Sequence, residues 1–430
     1  MRASPFRLSL LAPAPRIAAA APRITAAAPR ITAAAARIAA AAPRITAAAA
    51  LITAAAAGIT AAAPFRFEFA EGKPPPAYST DLGYGLEGAP AAPGKPFVFS
   101  IAATEGNYRV RVTLGDRRAE AVTTVKAELR RLMLENVRTA PGEQSTRTFI
   151  VNVRTARIPA GGEVRLKDRE KTSEAWAWDD KLTLEFTGPS PAVASIEMER
   201  IDNIPTIYIA GDSTSTDQPR EPFNSWGQML TRFFGPEVAI ANHGESGESL
   251  RGFIGEKRLE KLMSLIRPGD FLLIQMGHND HKEKGEGIGA FTSYQADLKR
   301  FVRETREHGA TPVLITSMHR RTFDGEGRIT NSLGDYPEAV RRLASEDNVE
   351  LIDLHAMSRL FYEALGPEAS ASAFVPRDGT HHNSYGSYQL AKCIVEAVRR
   401  DKLGIARYLL KDLPRFDPAH PDPVGKPYGN

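Results

Sequence analysis

The chain has 430 residues, 42% of them hydrophobic and 25% charged, with a single cysteine and a formal net charge of +4. That length and balance can bury more than one core, and the lone Cys393 excludes internal disulfides and reads as a small buried hydrophobe. The positive excess lies in residues 1–66, which carry eight Arg and no Lys or acid; the 47 basic and 51 acidic residues that follow leave that part near −4, which argues against a nucleic-acid partner.

Residues 15–63 are seven copies of a seven-residue unit, from Pro15-Arg16-Ile17-Ala18 to Ala61-Ala62-Ala63. A coiled coil does not follow from this period. Pro recurs at one repeat position (Pro15, Pro22, Pro29, Pro43), and Ile alone makes no a/d seam. Residues 1–64 therefore read as low complexity. Their uncharged end, Ile45 to Ala63, follows a run of Arg and resembles a signal segment, so a secreted or periplasmic protein is expected, with no stable membrane span. A repeat expansion or an early start codon would leave the same sequence.

From Phe65 the pattern changes to short alternating runs. These are Phe65–Phe69, Phe97–Ile101, Tyr108–Val112, Thr148–Val153, Leu182–Phe186 and Ala194–Met198, separated by turn residues such as Pro93-Gly94 and Pro141-Gly142. Period-two alternation without a long helix predicts an antiparallel β-sandwich over residues 65–203. Such modules often bind sugars on aromatic faces, for which Tyr78, Tyr84, Trp176 and Trp178 are candidates; the alternative is that these rings fill the core or the contact with the next domain.

After Pro205 the grammar becomes strand, helix, strand, helix. Apolar runs at Ile207–Ala210, Val238–Ala241, Phe271–Gln275, Pro312–Thr316 and Val349–Leu354 alternate with helical patterns, among them Ser225–Phe234, Arg258–Ile266, Tyr294–His308, Tyr336–Glu346, Met357–Leu365 and Tyr385–Arg400. The fold class expected over 204–403 is α/β: a three-layer, flavodoxin-like domain with a parallel sheet in the order 2-1-3-4-5 and a tail over 404–430.

Four stretches at strand ends or in loops carry chemistry: Gly211-Asp212-Ser213-Thr214, Asn242-His243-Gly244-Glu245-Ser246-Gly247, Gly277-His278-Asn279-Asp280 and Asp378-Gly379-Thr380-His381. Each alone suits a turn. Together they supply a serine nucleophile at Ser213, a base at His381 with Asp378 to orient it, and oxyanion donors from the N–H groups of Ser213 and Gly247 and the amide of Asn279. A metal cluster of His278, Asp280, His281, His381 and His382 is the competing reading, but a metal hydrolase has no use for Ser213 or Gly247, so no metal or cofactor is expected. His243 and His355, which follow strands, read as cap or packing residues.

These four blocks in this order resemble the SGNH hydrolase superfamily and, within it, the bacterial rhamnogalacturonan acetylesterases; the resemblance covers residues 201–400. The sandwich resembles a galactose-binding-like module. The resemblance implies removal of O-acetyl groups from pectin, with Ser213, Asp378 and His381 catalytic, Gly247 and Asn279 in the oxyanion hole, and an acetylated plant cell-wall polysaccharide as partner. Glu248 stands where such relatives often carry Arg. Arg320 and Arg321 can be read as pairing with a galacturonate carboxylate or as a solvated surface pair; His278 is expected to contact substrate, and His382, expected to face away from the base, to be structural or to contact substrate. An esterase for acetylated xylan or another acylated sugar, and a non-catalytic polysaccharide-binding protein, are the alternatives.

Overall fold

The computed structural model describes residues 64–70, 73–88 and 92–425. The heptad repeat and the expected export signal lie outside the described residues.

Nine strands build the first part: β1 (Phe65–Glu68), β2 (Tyr84–Glu87), β3 (Phe97–Ala102), β4 (Gly106–Leu114), β5 (Ala121–Ala127), β6 (Arg131–Thr139), β7 (Ser145–Val153), β8 (Lys181–Ser190) and β9 (Val193–Ile201). They form two antiparallel sheets, ordered β1-β9-β4-β7 and β2-β3-β8-β5-β6. Alternation explains the packing. Tyr108, Val110, Val112 and Leu114 of β4 share a core with Phe99, Ile101, Leu182, Leu184 and Phe186 of the other sheet. Strands β2, β5 and β6 escape the sequence pattern. β5 is buried on nearly every residue, and its pairing with β6 is broken by register shifts, with Asn136 at a positive φ of 46°.

The α/β part holds β10 (Thr206–Gly211), β11 (Ala239–Asn242), β12 (Phe271–Gln275), β13 (Thr311–Ile315) and β14 (Glu350–Ile352) in one parallel sheet, ordered β11-β10-β12-β13-β14. This is the flavodoxin-like order 2-1-3-4-5. The helices are α1 (Trp226–Leu230), α2 (Leu250–Gly255), α3 (Arg258–Leu265), α4 (Gln295–Glu307), α5 (Tyr336–Glu346), α6 (Leu354–Ala369) and α7 (Ser384–Arg400). Ile207 and Ile209 of β10 face α1, α6 and α7, whereas Tyr208 and Ala210 face α2 to α5, so a layer of helices covers each face of the sheet. Cys393 is buried within α7. The segment after α7 folds back on it, with Lys392 Nζ 2.7 Å from Asp422 Oδ2.

The sandwich meets the α/β part through polar groups as well as through Leu132, which joins the core beneath α1. Arg131 on β6 donates to Asp217 at 2.7 Å with both side chains buried, and Gln228 and Thr231 donate to the Leu129 and Leu132 carbonyls at 2.6 and 2.7 Å. Helix α1 approaches the loop after β10 closely because Gly227 has no side chain: a Cβ there would lie 2.1 Å from the Ser215 carbonyl oxygen. Gly227→Ala is therefore expected to lower stability by about 1–3 kcal/mol through overpacking. A urea melt checks it, and an unchanged midpoint would show that the loop yields freely.

Candidate active site

The loop after β10 is shaped by Asp212. Its Oδ1 accepts from the Thr214 N–H at 2.9 Å and the Thr214 hydroxyl at 2.7 Å, and its Oδ2 lies 3.3 Å from His278 Nδ1. Burial would raise this carboxyl, but His278 and Thr214 prevail and hold it below its ordinary value, so the buried group stays ionised. The Asp212 carbonyl closes the turn by accepting from the N–H groups of Ser215 and Thr216, each at 3.0 Å. Ser213 is left at the carboxyl end of the parallel sheet, where open α/β sheets gather their ligands.

Three side chains far apart in sequence meet at this point. Ser213 Oγ lies 2.9 Å from His381 Nε2, and His381 Nδ1 lies 2.7 Å from Asp378 Oδ2. Asp378 Oδ1 also accepts from the Thr380 and His381 N–H groups at 2.7 and 2.9 Å. Burial acts to raise Asp378, but these hydrogen bonds outweigh it and hold the carboxyl below its usual range. The aspartate can thus fix the imidazole with Nδ1 protonated and Nε2 free to accept the hydroxyl proton.

Three candidate donors border the same space. The N–H groups of Ser213 and Gly247 make no hydrogen bond to another described residue. Gly247 has a φ of +84°, a conformation natural to glycine, and a Cβ there would meet nothing closer than Lys167 Nζ at 3.9 Å, so the requirement is one of backbone and not of space. Asn279 Nδ2 donates to the Glu248 carbonyl at 2.9 Å and its Oδ1 accepts from Lys282 at 2.9 Å, which fixes the amide with its second N–H uncommitted.

Ser213, Gly247, His278, Asn279, Arg320 and His381 line one cavity of about 590 Å³. The other candidates take different places. Arg321 does not line it; its guanidinium is tied to Ser370 Oγ at 3.0 Å and to the Pro367 carbonyl, fastening a loop. His382 points the opposite way from His381 and is buried against Phe374, with Nε2 2.7 Å from the Tyr362 hydroxyl; burial pushes it down to about 3. His278 reaches the cavity wall, but both ring nitrogens are taken, Nε2 by the Met318 carbonyl at 3.0 Å, so it serves as a brace. His243 packs edge-on against Trp178, and His355 lies against His319 with ring centroids 3.5 Å apart. Among the described residues no cluster of three His, Cys, Asp or Glu is placed to hold a metal ion.

Sequence reasoning missed four wall residues, Arg169, Gln218, Phe223 and Lys282, and weighed His281 only as a metal ligand. Lys282 and His281 lie beside the third block and were within its reach. Arg169 carries no local signal, since it comes from the loop between β7 and β8. The four aromatic candidates in the sandwich are packed: Tyr84 against Phe65, Phe67 and Phe99, Trp178 under the guanidinium of Arg154 at 4.3 Å, Trp176 beside Trp178, and Tyr78 under Lys181 Nζ at 4.9 Å.

Residues 209–388 match the GDSL-like Lipase/Acylhydrolase family. The rhamnogalacturonan acetylesterase RhgT of Bacillus subtilis (strain 168) is 39% identical over 214 residues, which are 46% of this chain and 90% of the relative. The chain belongs to the GDSL-like acylhydrolases. It is a carboxylic-ester hydrolase of the SGNH type. YesY of the same organism, a probable rhamnogalacturonan acetylesterase, is 34% identical and matches 48% of this chain and 98% of its own. YxiM, an uncharacterized esterase of that organism, is 27% identical over 317 residues, 72% of this chain and 75% of the relative, so that its likeness extends beyond the acylhydrolase part. Among the described residues no helix of this acylhydrolase is long and apolar enough to cross a membrane.

Proposed function

We propose that the chain is an exported serine esterase that removes O-acetyl groups from rhamnogalacturonan, with Ser213 as nucleophile, His381 as base and then acid, and Asp378 as its orienter. The observation that carries this is the hydrogen-bonded chain Asp378–His381–Ser213 opening into a cavity whose wall includes Arg169, Lys282 and Arg320 and no carboxylate. Arg320 is held by neutral partners, the Thr380 hydroxyl at 3.1 Å and the His278 carbonyl at 3.1 Å among them. A half-buried guanidinium that no carboxylate bonds suits a uronate carboxylate. Acetylated xylan offers its backbone no such charge. The rhamnogalacturonan acetylesterases among the relatives support the same substrate. Residues 65–203 act as a sandwich domain and 204–403 as the catalytic domain, and the Arg-rich segment ahead of Pro64 directs export.

In the reaction, Ser213 Oγ attacks the acetyl carbonyl as its proton passes to His381 Nε2. The developing oxyanion takes hydrogen bonds from the N–H groups of Ser213 and Gly247 and the amide of Asn279. Collapse expels the sugar hydroxyl with the proton from His381, leaving acetyl-Ser213. Water, deprotonated by His381, then releases acetate by the same route.

Acetate release from acetylated rhamnogalacturonan and acetylated xylan, assayed side by side at two ionic strengths, tests the substrate. The acidic polymer should be preferred, and its KM should rise with salt while that for neutral p-nitrophenyl acetate stays constant. A preference for xylan, or salt-independent kinetics on the acidic polymer, would count against the uronate reading. Asn279→Ala is expected to lower kcat by about 10²–10³-fold at nearly unchanged KM, as for loss of one oxyanion donor. A lowered melting point at unchanged kcat would remove Asn279 from the site.

A further inference from the structure

Two cations from the sandwich converge on a single carbonyl of the active-site rim. In the loop between β7 and β8, a short 3-10 turn spans Asp168–Lys171. Glu170 anchors it: its carboxylate takes a bidentate pair from Arg258 at 3.0 and 2.5 Å, with both side chains buried, and accepts from the Lys167 N–H at 2.8 Å. That anchor aims the residues on either side. Lys167 Nζ donates to the Ser246 carbonyl at 2.9 Å, and Arg169 donates to the same oxygen. Each cation also pairs with a buried acid next to that carbonyl, Lys167 with Glu248 and Arg169 with Glu245.

The Ser246 carbonyl and the Gly247 N–H belong to one peptide unit. A trans peptide is planar, with C=O and N–H pointing in opposite directions. Holding the oxygen toward the sandwich therefore holds the N–H toward the cavity. Donation to the oxygen also polarises the peptide and strengthens its N–H as a donor. At Gly247, exposed and at φ +84°, glycine's own conformational freedom would otherwise let this peptide rotate.

We propose that Lys167 and Arg169 are positioning residues for catalysis: the sandwich completes the oxyanion hole by pinning the Ser246–Gly247 peptide. This rests on the role given above to the Gly247 N–H. It means that the sandwich is part of the catalytic machinery and is more than an appended binding module.

The test uses the full chain and p-nitrophenyl acetate, a substrate too small and neutral to report on polymer binding. Glu245→Gln/Glu248→Gln removes the shorter ion pair of each cation, leaving the longer ones to Glu256 and Glu174, and keeps both bonds to the Ser246 carbonyl; its kcat should stay within about threefold of wild type, since nothing aimed at the transition state is lost. Adding Lys167→Met and Arg169→Met to that variant removes the bonds as well. Its kcat should fall about 30–300-fold with KM little changed, approaching the loss of one oxyanion donor. Restoring Lys167 alone should recover about tenfold of that. Where the quadruple variant does not fold, single Lys167→Met and Arg169→Met variants carry the test, each expected to lose about tenfold in kcat. The idea is overturned if the Glu pair costs as much as the quadruple change, if the quadruple variant (or, in its place, the single variants) keeps wild-type kcat, or if the loss is confined to KM. Ser213→Ala, run alongside, separates the two failures: activity surviving there defeats the acyl-serine reading itself, whereas its loss there with full kcat in the Lys167 and Arg169 variants defeats only the pinning.

Discussion

Ser213→Ala is expected to lower kcat for p-nitrophenyl acetate and for the polymer alike by about 10⁴–10⁶-fold, the scale reached when a triad nucleophile is removed. The melting temperature should hardly move. The Ser213 hydroxyl is bonded to His381, while the turn that carries it is held by Asp212, Thr214 and Gln218, the last through the Ser213 carbonyl at 2.8 Å. Truncating Oγ removes the attacking atom and leaves the turn. Retention of turnover, and above all turnover that a chelator abolishes, would refute an acyl-serine mechanism.

The second large effect is at Asp378, and it is an effect of tautomer. Asp378 Oδ1 accepts from two backbone N–H groups and Oδ2 faces His381 Nδ1, so every contact of the carboxylate is with a donor. A carboxamide in its place could keep its oxygen on the backbone donors only by turning its NH₂ to Nδ1. That nitrogen would then have to accept, moving the ring proton to Nε2, where it blocks proton transfer from Ser213. The opposite orientation sets the NH₂ against two N–H groups. Asp378→Asn should therefore lower kcat by about 10⁴-fold with KM nearly constant. A loss of tenfold or less would mean that His381 needs no orienting partner.

Much of the architecture was legible along the chain because its signals are local. Alternation over Tyr108–Val112 fixes which face of β4 is buried, and the apolar runs of the parallel strands, each followed by a helical period, dictate three layers and place Ser213, Gly247, Asn279 and Asp378 in loops at or near strand ends. Strand β5 was illegible for the opposite reason: buried on nearly every residue, with a bulged partner, it shows no period to read. The short α2 offered one turn and a half of pattern, too little to stand out, although Ser249 caps it at 3.1 Å.

By itself the sequence determined the layers and the residue types available for acyl transfer, since each depends on periodicity or on neighbours within a few positions. Only the tertiary structure decided which of those residues meet. Ser213 and His381 are 168 positions apart, and Arg169 reaches the Ser246 carbonyl across 77. It also decided which residues turn away: of the adjacent His381 and His382 one faces the cavity and the other the core, and Arg320 lines the cavity while Arg321 fastens a loop. Identity and spacing state what a side chain can do. Whether it has the chance depends on packing between elements that are remote in the chain, and that information is not held in any one stretch of it.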